Sequence, residues 1–155
     1  MIERRISGVG NFADGLTEDL VLSGDHVLLR PMRLDDVDGL IEAASHGDLW
    51  NLAYTGVPSP KTMQTTVAEA MRLRDKGEQF PFTVRLASTG EIVGSTRYYY
   101  ISPEHRNLSI GFTWYGEHVH RTGVNTECKY LLLKHAFETL NCISCLLYTS
   151  DAADD

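Results

Sequence analysis

Residues 107–140 read NLSIGFTWYGEHVHRTGVNTECKYLLLKHAFETL, and this stretch decides the fold. Its first part alternates, with Leu108, Ile110, Phe112 and Trp114 set against Asn107, Ser109, Gly111, Thr113 and Tyr115. A period of two predicts a strand with one apolar face. Its last part changes period: Cys128, Leu131, Leu132, His135, Ala136 and Leu140 recur at helical spacing and predict a helix over 126–141. Between them, HVHRTGVN (118–125) has to turn the chain. A capped turn with Asn125 as N-cap does this without any ligand. The same residues also suit an anion. Gly123 accepts a positive φ and a close approach, the first helical N–H groups lack internal partners, and His120 and Arg121 add positive charge. Glu127 competes for the same helix dipole unless its side chain points away.

Upstream, the chain reads as strand, helix, helix, strand, strand. HVLLRPM (26–32) is a short apolar strand ended by Pro31. Leu34, Val37, Leu40, Ile41 and Ala44 fall at helical spacing, with Asp35 and Asp36 at the start, where a helix favours acids. Residues 46–60 hold Gly47, Gly56, Pro58 and Pro60 and read as loop, with Trp50 and Tyr54 as candidate anchors. Thr62–Lys76 predicts a second helix, with Met63, Val67, Ala70, Met71 and Arg74 on one stripe and Gly77 as the residue that ends it. Phe80–Ala87 and Glu91–Ile101 are strands joined at STG (88–90), and SPEHRN (102–107) turns into the opening stretch. The first twenty residues are polar and Gly-rich and read as a flexible arm.

The bulk properties narrow the function. The 155 residues suit one domain, with 43% hydrophobic and 23% charged residues, as in ordinary globular chains. A formal charge of −7 weighs against a nucleic-acid surface, which needs clustered Lys and Arg. Cys128, Cys142 and Cys145 are too few for a disulfide framework and fit a reducing cytosol. MIERRISGVGNFADG lacks the apolar core of a secretory signal, and no apolar run reaches membrane-spanning length, so a cytoplasmic protein is expected.

Taken in order, these segments resemble the GCN5-related N-acetyltransferase superfamily, and within it the branch of ribosomal-protein N-terminal acetyltransferases (RimJ/RimL-like). The resemblance runs from about residue 21 to residue 144. VLLRPMRLDDVDGLIEA looks like the opening strand and helix of that branch, GEIVGSTRYYYI like its third strand and LSIGFTWYG like its fourth. HRTGVN stands in place of the pyrophosphate loop. Gly123 matches the loop pattern, His120 replaces its Gln or Arg, and Asn125 replaces its second Gly or Ala. The resemblance implies an α+β fold: a mixed, mostly antiparallel sheet flanked by helices, in the order β-α-α-β-β-β-α-β. It further implies acetyl-CoA as cosubstrate and a primary amine as acceptor, on a small molecule or a protein N-terminus. The backbone of Phe112, Thr113, Trp114 and Tyr115 would pair with the pantetheine arm. His120, Arg121, Thr122, Gly123, Val124, Asn125 and Thr126 would hold the pyrophosphate. The amine would attack the thioester directly after losing a proton, and backbone N–H groups would stabilise the oxyanion.

That superfamily often protonates the leaving thiolate with a Tyr or Ser beyond the third helix, and no such residue is identified here. CIS (142–144) begins as the next strand should, but CLLYTSDAADD (145–155) departs from it and resembles a translated sequencing-adapter end. The expectation is an incomplete domain over 21–144 with its last elements missing and a non-native tail over 145–155. The alternative is a genuine acidic terminus with a strand at Ile143–Tyr148. An open sheet edge would invite a homodimer. The rival functions are a non-catalytic CoA-binding or interaction domain and an inert fragment.

Other constellations read more simply. His118, His120, Cys128 and His135 match no standard metal spacing, so no metal is expected. Cys128 reads as a core residue. Tyr98 and Tyr100 should share one strand face against Tyr99, as packing residues or as lining of an acceptor pocket. Glu104 and His105 read as a solvated turn ahead of a catalytic pair. Ser109 and Thr113 are candidates for cleft lining, and Arg30 for a structural ion pair.

Overall fold

The computed structural model describes residues 9–51 and 56–147, with side chains from Phe12 onward. Six strands form one sheet in chain order: β1 (Leu22–Ser23), β2 (Val27–Pro31), β3 (Phe80–Leu86), β4 (Ile92–Ser102), β5 (Asn107–Tyr115) and β6 (Ser144–Leu147). Every neighbouring pair is antiparallel except β5 and β6, which run parallel. A parallel pair needs a long crossover. Helix α4 (Val124–Lys134), continued by a π turn over His135–Thr139, supplies it. The other helices are α1 (Val9–Gly15), α2 (Val37–Ser45) and α3 (Met63–Asp75).

The sheet separates two cores. Val27, Leu29, Phe82, Val84, Tyr98, Leu108 and Ile110 pack against Cys128, Leu132, Ala136 and Leu140 of α4 and its π turn. On the opposite face Leu40 and Ala44 of α2 meet Met63, Val67 and Ala70 of α3, with Trp114 alongside. The helical stripes read from the sequence are therefore the buried stripes. Leu34 is the exception: it lies in a 3-10 turn ahead of α2 and is exposed. The turn forms because Asp36 folds back to accept the backbone N–H of Arg33 at 3.0 Å. Asp36 is buried, accepts Thr83 Oγ1 at 2.7 Å and pairs with Arg85 at 3.2 Å and Arg30 at 4.0 Å. The ion pair expected for Arg30 is thus the rim of a buried polar network. Gly77 ends α3 at φ +77°, as expected of its position.

The expected element order is extended at the front. The sequence reading placed no element in 1–20, yet Val9–Gly15 is helical and Phe12 is buried against the α4 core. A single buried aromatic in a seven-residue helix is too short a pattern to show a period. Leu22–Ser23 adds a further short strand. Trp50 packs on the second core, while Tyr54 lies outside the described residues. At the other end, Cys145–Leu147 pair with β5, so this part of the segment read as a tail carries a strand; residues 148–155 lie outside the described residues.

Strict alternation fails in two places. Tyr100 (φ +47°) and Phe112 (φ +53°) occupy the left-handed region, and the β4–β5 register slips at both. Tyr98 is buried, whereas Tyr100 is 74% exposed, so the two do not share a face. On β5, Leu108 and Ile110 face the α4 core, but beyond Phe112 it is Tyr115 that joins them, while Trp114 turns to the other core. One extra residue in a strand exchanges its faces.

Candidate functional site

The bulge at Phe112 divides β5 into two halves with different neighbours. Asn107–Ile110 pair with β4 on one edge and with Ser144–Leu147 of β6 on the other. Beyond Ile110 no strand pairs with that second edge among the described residues. Its backbone is a template for an extended ligand arm. Phe112 is exposed, Thr113 and Trp114 are half-buried, and Tyr115 is buried, so of the four expected here it is the backbone that is available in common.

Polar groups flank the bulge on each face. Thr113 Oγ1 lies 2.8 Å from Thr96 Oγ1 on the α4 side. On the opposite side, the Arg97 guanidinium sits 4.7 Å from the Phe112 ring centroid and donates to Gln79 Oε1 at 2.7 Å. Burial lowers the Arg97 pKa. Tyr99 packs edge-on to Phe112 with centroids 4.9 Å apart. Arg97, Thr96 and Gln79 were not singled out from the sequence. Nothing in the local pattern marks them, because the bulge that gathers them is a φ change at a phenylalanine.

The loop after β5 is built around two left-handed residues, Arg121 (φ +63°) and Gly123 (φ +89°). Gly123 rather than Asn125 is the N-cap: α4 starts at Val124, and Glu127 N–H donates to Gly123 O at 3.0 Å. The expectation for Asn125 is corrected accordingly. The glycine turn brings the helix in two residues early and places Asn125 in its first turn, where it is buried with Oδ1 unpaired. A Cβ at Gly123 would meet nothing within 4 Å, so the loop is open at this point. Arg121, Thr122 and Thr126 are exposed around it, and Val124 is buried beneath.

His120 does not project as a free charge. Its Nε2–H donates to Tyr115 O at 2.9 Å, tying the loop to the end of β5. Thr122 Oγ1 donates to Val119 O and closes the turn. Glu127 also leaves the helix terminus clear. Its carboxylate turns toward β2 and accepts the backbone N–H groups of Asp25, His26 and Val27 at 2.9, 2.8 and 2.8 Å. Partial burial works to raise its pKa, but these bonds prevail and hold it below the ordinary carboxylate value. The competition for the dipole expected from its position is therefore removed by geometry. A helix N-terminus with a left-handed loop in front of it is a geometry that can receive an anion.

The remaining candidates lie elsewhere. Glu104 and His105 are at the far end of β5, where His105 Nδ1 is 2.8 Å from Ser102 Oγ. Ser109 is buried. Tyr98 donates its hydroxyl to Leu132 O at 2.7 Å, within the α4 core and away from the bulge side holding Arg97. His135 donates Nε2–H to Gly15 O at 2.8 Å, and Cys128 is fully buried in the core. His118, His120, Cys128 and His135 thus do not form one cluster.

The chain resembles known proteins in its sequence profile and in its fold. The sequence profile of the acetyltransferase (GNAT) domain matches residues 26–152. No curated protein sequence matches the chain. Among solved structures, one assigned as a ribosomal-protein-serine acetyltransferase from Vibrio cholerae superposes with a TM-score of 0.73 at 19% identity, over 88% of this chain and 81% of that one. A GCN5-related N-acetyltransferase from Brucella melitensis gives 0.70 at 20% identity, over 82% of this chain and 58% of that one. RimL, a ribosomal L7/L12 alpha-N-protein acetyltransferase solved with coenzyme A, gives 0.62 at 18% identity, over 75% and 67%. At these identities the structural likeness speaks to the fold alone. The mixed six-stranded sheet flanked by helices is that of the acyl-CoA N-acyltransferases.

Proposed function

The chain belongs to the GNAT acetyltransferase domain family, whose acetyl donor is acetyl-CoA, and from this premise we propose that it acetylates a primary amine by direct attack on the thioester. The observation that carries this reading is the continuity of one surface. An edge of β5 with which no described strand pairs beyond Ile110 leads through a left-handed loop to the N-terminus of α4. Residues 112–115 suit the pantetheine arm, and residues 120–126 suit the pyrophosphate, with Arg121 as the exposed cation beside it. Open space at Gly123 supports the fit.

In this mechanism the amine gives up a proton, its nitrogen forms the amide bond, and the carbon–sulfur bond breaks. The thiolate then takes a proton to leave as coenzyme A. An alkyl amine has a pKa of about 10 and a protein N-terminus one of about 8, so the latter needs less help to lose its proton. On this chemical ground a protein N-terminus is the acceptor we take first. We take residues 21–144 as the unit concerned and the cytosol as its compartment. Cys142 and Cys145 are free thiols, and no described helix is long and apolar enough to cross a membrane. A homodimer through the open sheet edge belongs to the same reading.

The test is thermal unfolding with and without acetyl-CoA, followed by thiol release with a panel of amines and short peptides. The expected result is a raised midpoint and amine-dependent thiol release. No shift and no release would overturn the proposal. A shift with no release for any amine would leave a CoA-binding domain in its place.

A further inference from the structure

A second constellation lies beside the loop and takes no part in the acyl-donor reading. We propose that His46, Glu91 and His118 bind a divalent transition-metal ion, with zinc as the natural occupant. One ligand atom from each of the three lies within 4.8 Å of the other two. The three come from separate parts of the chain. His46 caps the C-terminus of α2, Glu91 precedes β4, and His118 sits in the 3-10 turn Glu117–Val119 after β5. The fold has therefore gathered them across long sequence separations, and neighbouring residues hold them there.

The local geometry favours ligation. His118 Nε2 is 3.1 Å from Glu91 Oε2, and the imidazole centroids of His46 and His118 are 3.9 Å apart with 33° between the rings. The hydrogen bond accounts for Glu91 and His118 but not for the approach of a second imidazole. The backbone fixes that approach: Glu117 N–H donates to His46 O at 3.1 Å. Two glycines make room for it. A Cβ at Gly116 would fall 2.7 Å from both Ala43 O and the His118 ring, and one at Gly47 would fall 2.8 Å from Glu117 Cβ.

Zinc holds nitrogen and oxygen donors at about 2.0–2.2 Å, which places tetrahedral donors roughly 3.4 Å apart. Side-chain rotations of about an ångström bring the present group to that spacing. Two imidazoles and one carboxylate suit zinc, nickel or copper, whereas magnesium and calcium prefer all-oxygen sets. His46 is half-buried while Glu91 and His118 are exposed, so a fourth position faces water. A bound ion would cross-link α2, the start of β4 and the turn that leads into residues 120–123.

The experiment is calorimetric titration of chelator-treated protein with zinc chloride, with magnesium chloride as comparison. It is repeated on His46→Ala, Glu91→Gln, His118→Ala and the distant control His105→Ala. One zinc per chain is expected, weakened at least about tenfold by each of the three cluster variants and unchanged in the control, with no magnesium uptake. Zinc should also raise the midpoint of thermal unfolding of the parent chain. Glu91→Gln keeps the shape of an exposed side chain, so it decides the matter even if an alanine variant folds poorly. No saturable zinc binding, or binding that survives all three cluster substitutions, would overturn the site.

Discussion

Glu127 Oε1 accepts the backbone N–H of Val27 at 2.8 Å, joining the first turn of α4 to the first residue of β2. Through the same carboxylate, His26 and Asp25 are held as well. An acid in the first turn of a helix ordinarily adds negative charge at the terminus. Here it instead fastens the helix to the sheet, its carboxylate turned toward β2. The contact is also tight sterically, since a Cβ at Gly24 would fall 2.4 Å from Glu127 Cδ.

Glu127→Ala should therefore cost about 1.5–3 kcal/mol, the range for hydrogen bonds to a charged group, with solvent exposure favouring the lower end. The pH dependence follows from the depressed pKa. The contribution is present above the ordinary glutamate value and is lost as pH falls through the folded value. Denaturant melts of the parent chain and Glu127→Gln across acid pH should show a shallower acid limb for the variant. Superimposable limbs would contradict the assignment.

Gly123→Ala isolates the loop geometry. No atom within 4 Å opposes the added methyl, so the penalty is the left-handed φ alone, about 1–2 kcal/mol. Gly77→Ala, at φ +77° and equally open, should carry a similar penalty at the end of α3. Acetyl-CoA should protect Gly77→Ala like the parent and protect Gly123→Ala less. Equal protection of both by differential scanning fluorimetry would separate the loop from the ligand.

Tyr98→Phe tests whether the tyrosine at the centre of the sheet packs or reacts. Its hydroxyl donates to Leu132 O inside the α4 core, and burial raises its pKa well above the ordinary tyrosine value. The phenol therefore stays neutral at physiological pH. Loss of the hydroxyl should cost about 1–2 kcal/mol and leave the pH profile of any thiol-releasing activity unchanged. A shifted alkaline limb in that profile would mean that Tyr98 serves the reaction.

His135 links the π turn to the last residue of α1. Burial lowers its pKa from the ordinary 6.5, outweighing the hydrogen bond to Gly15, which raises it. The folded state thus prefers the neutral ring. Its contribution is full above 6.5 and is lost as pH falls from there through the folded value. Amide hydrogen exchange in α1 should accelerate over that interval, and His135→Gln, which can still donate to Gly15 O, should flatten the dependence. Exchange in α1 that ignores pH beyond the intrinsic chemical rate would count against this docking contact.

The periodic elements were legible in the sequence because burial imposes period directly. Leu40, Ala44, Met63 and Val67 repeat at helical spacing, and each is buried. Cys128, Leu132, Ala136 and Leu140 repeat every four residues, and each is buried, although the π turn over His135–Thr139 was not legible in that spacing. Gly123 and Gly77 were legible as well, since glycine takes a positive φ more readily than any other residue. The order of these elements, together with the loop at 120–125, was enough to identify the family.

The tertiary structure alone decided the details of the site. The bulge at Phe112 is a left-handed turn at a residue that rarely adopts one, and local propensity cannot announce it. That bulge exchanges the faces of β5 and buries Tyr115, and no described strand pairs with the second edge beyond Ile110. The direction of Glu127, the seating of Phe12, and the meeting of His46 with Glu91 and His118 depend on partners many residues away. Sequence fixes period and the conformational freedom of each residue; only the packed chain determines which distant groups come within reach of one another.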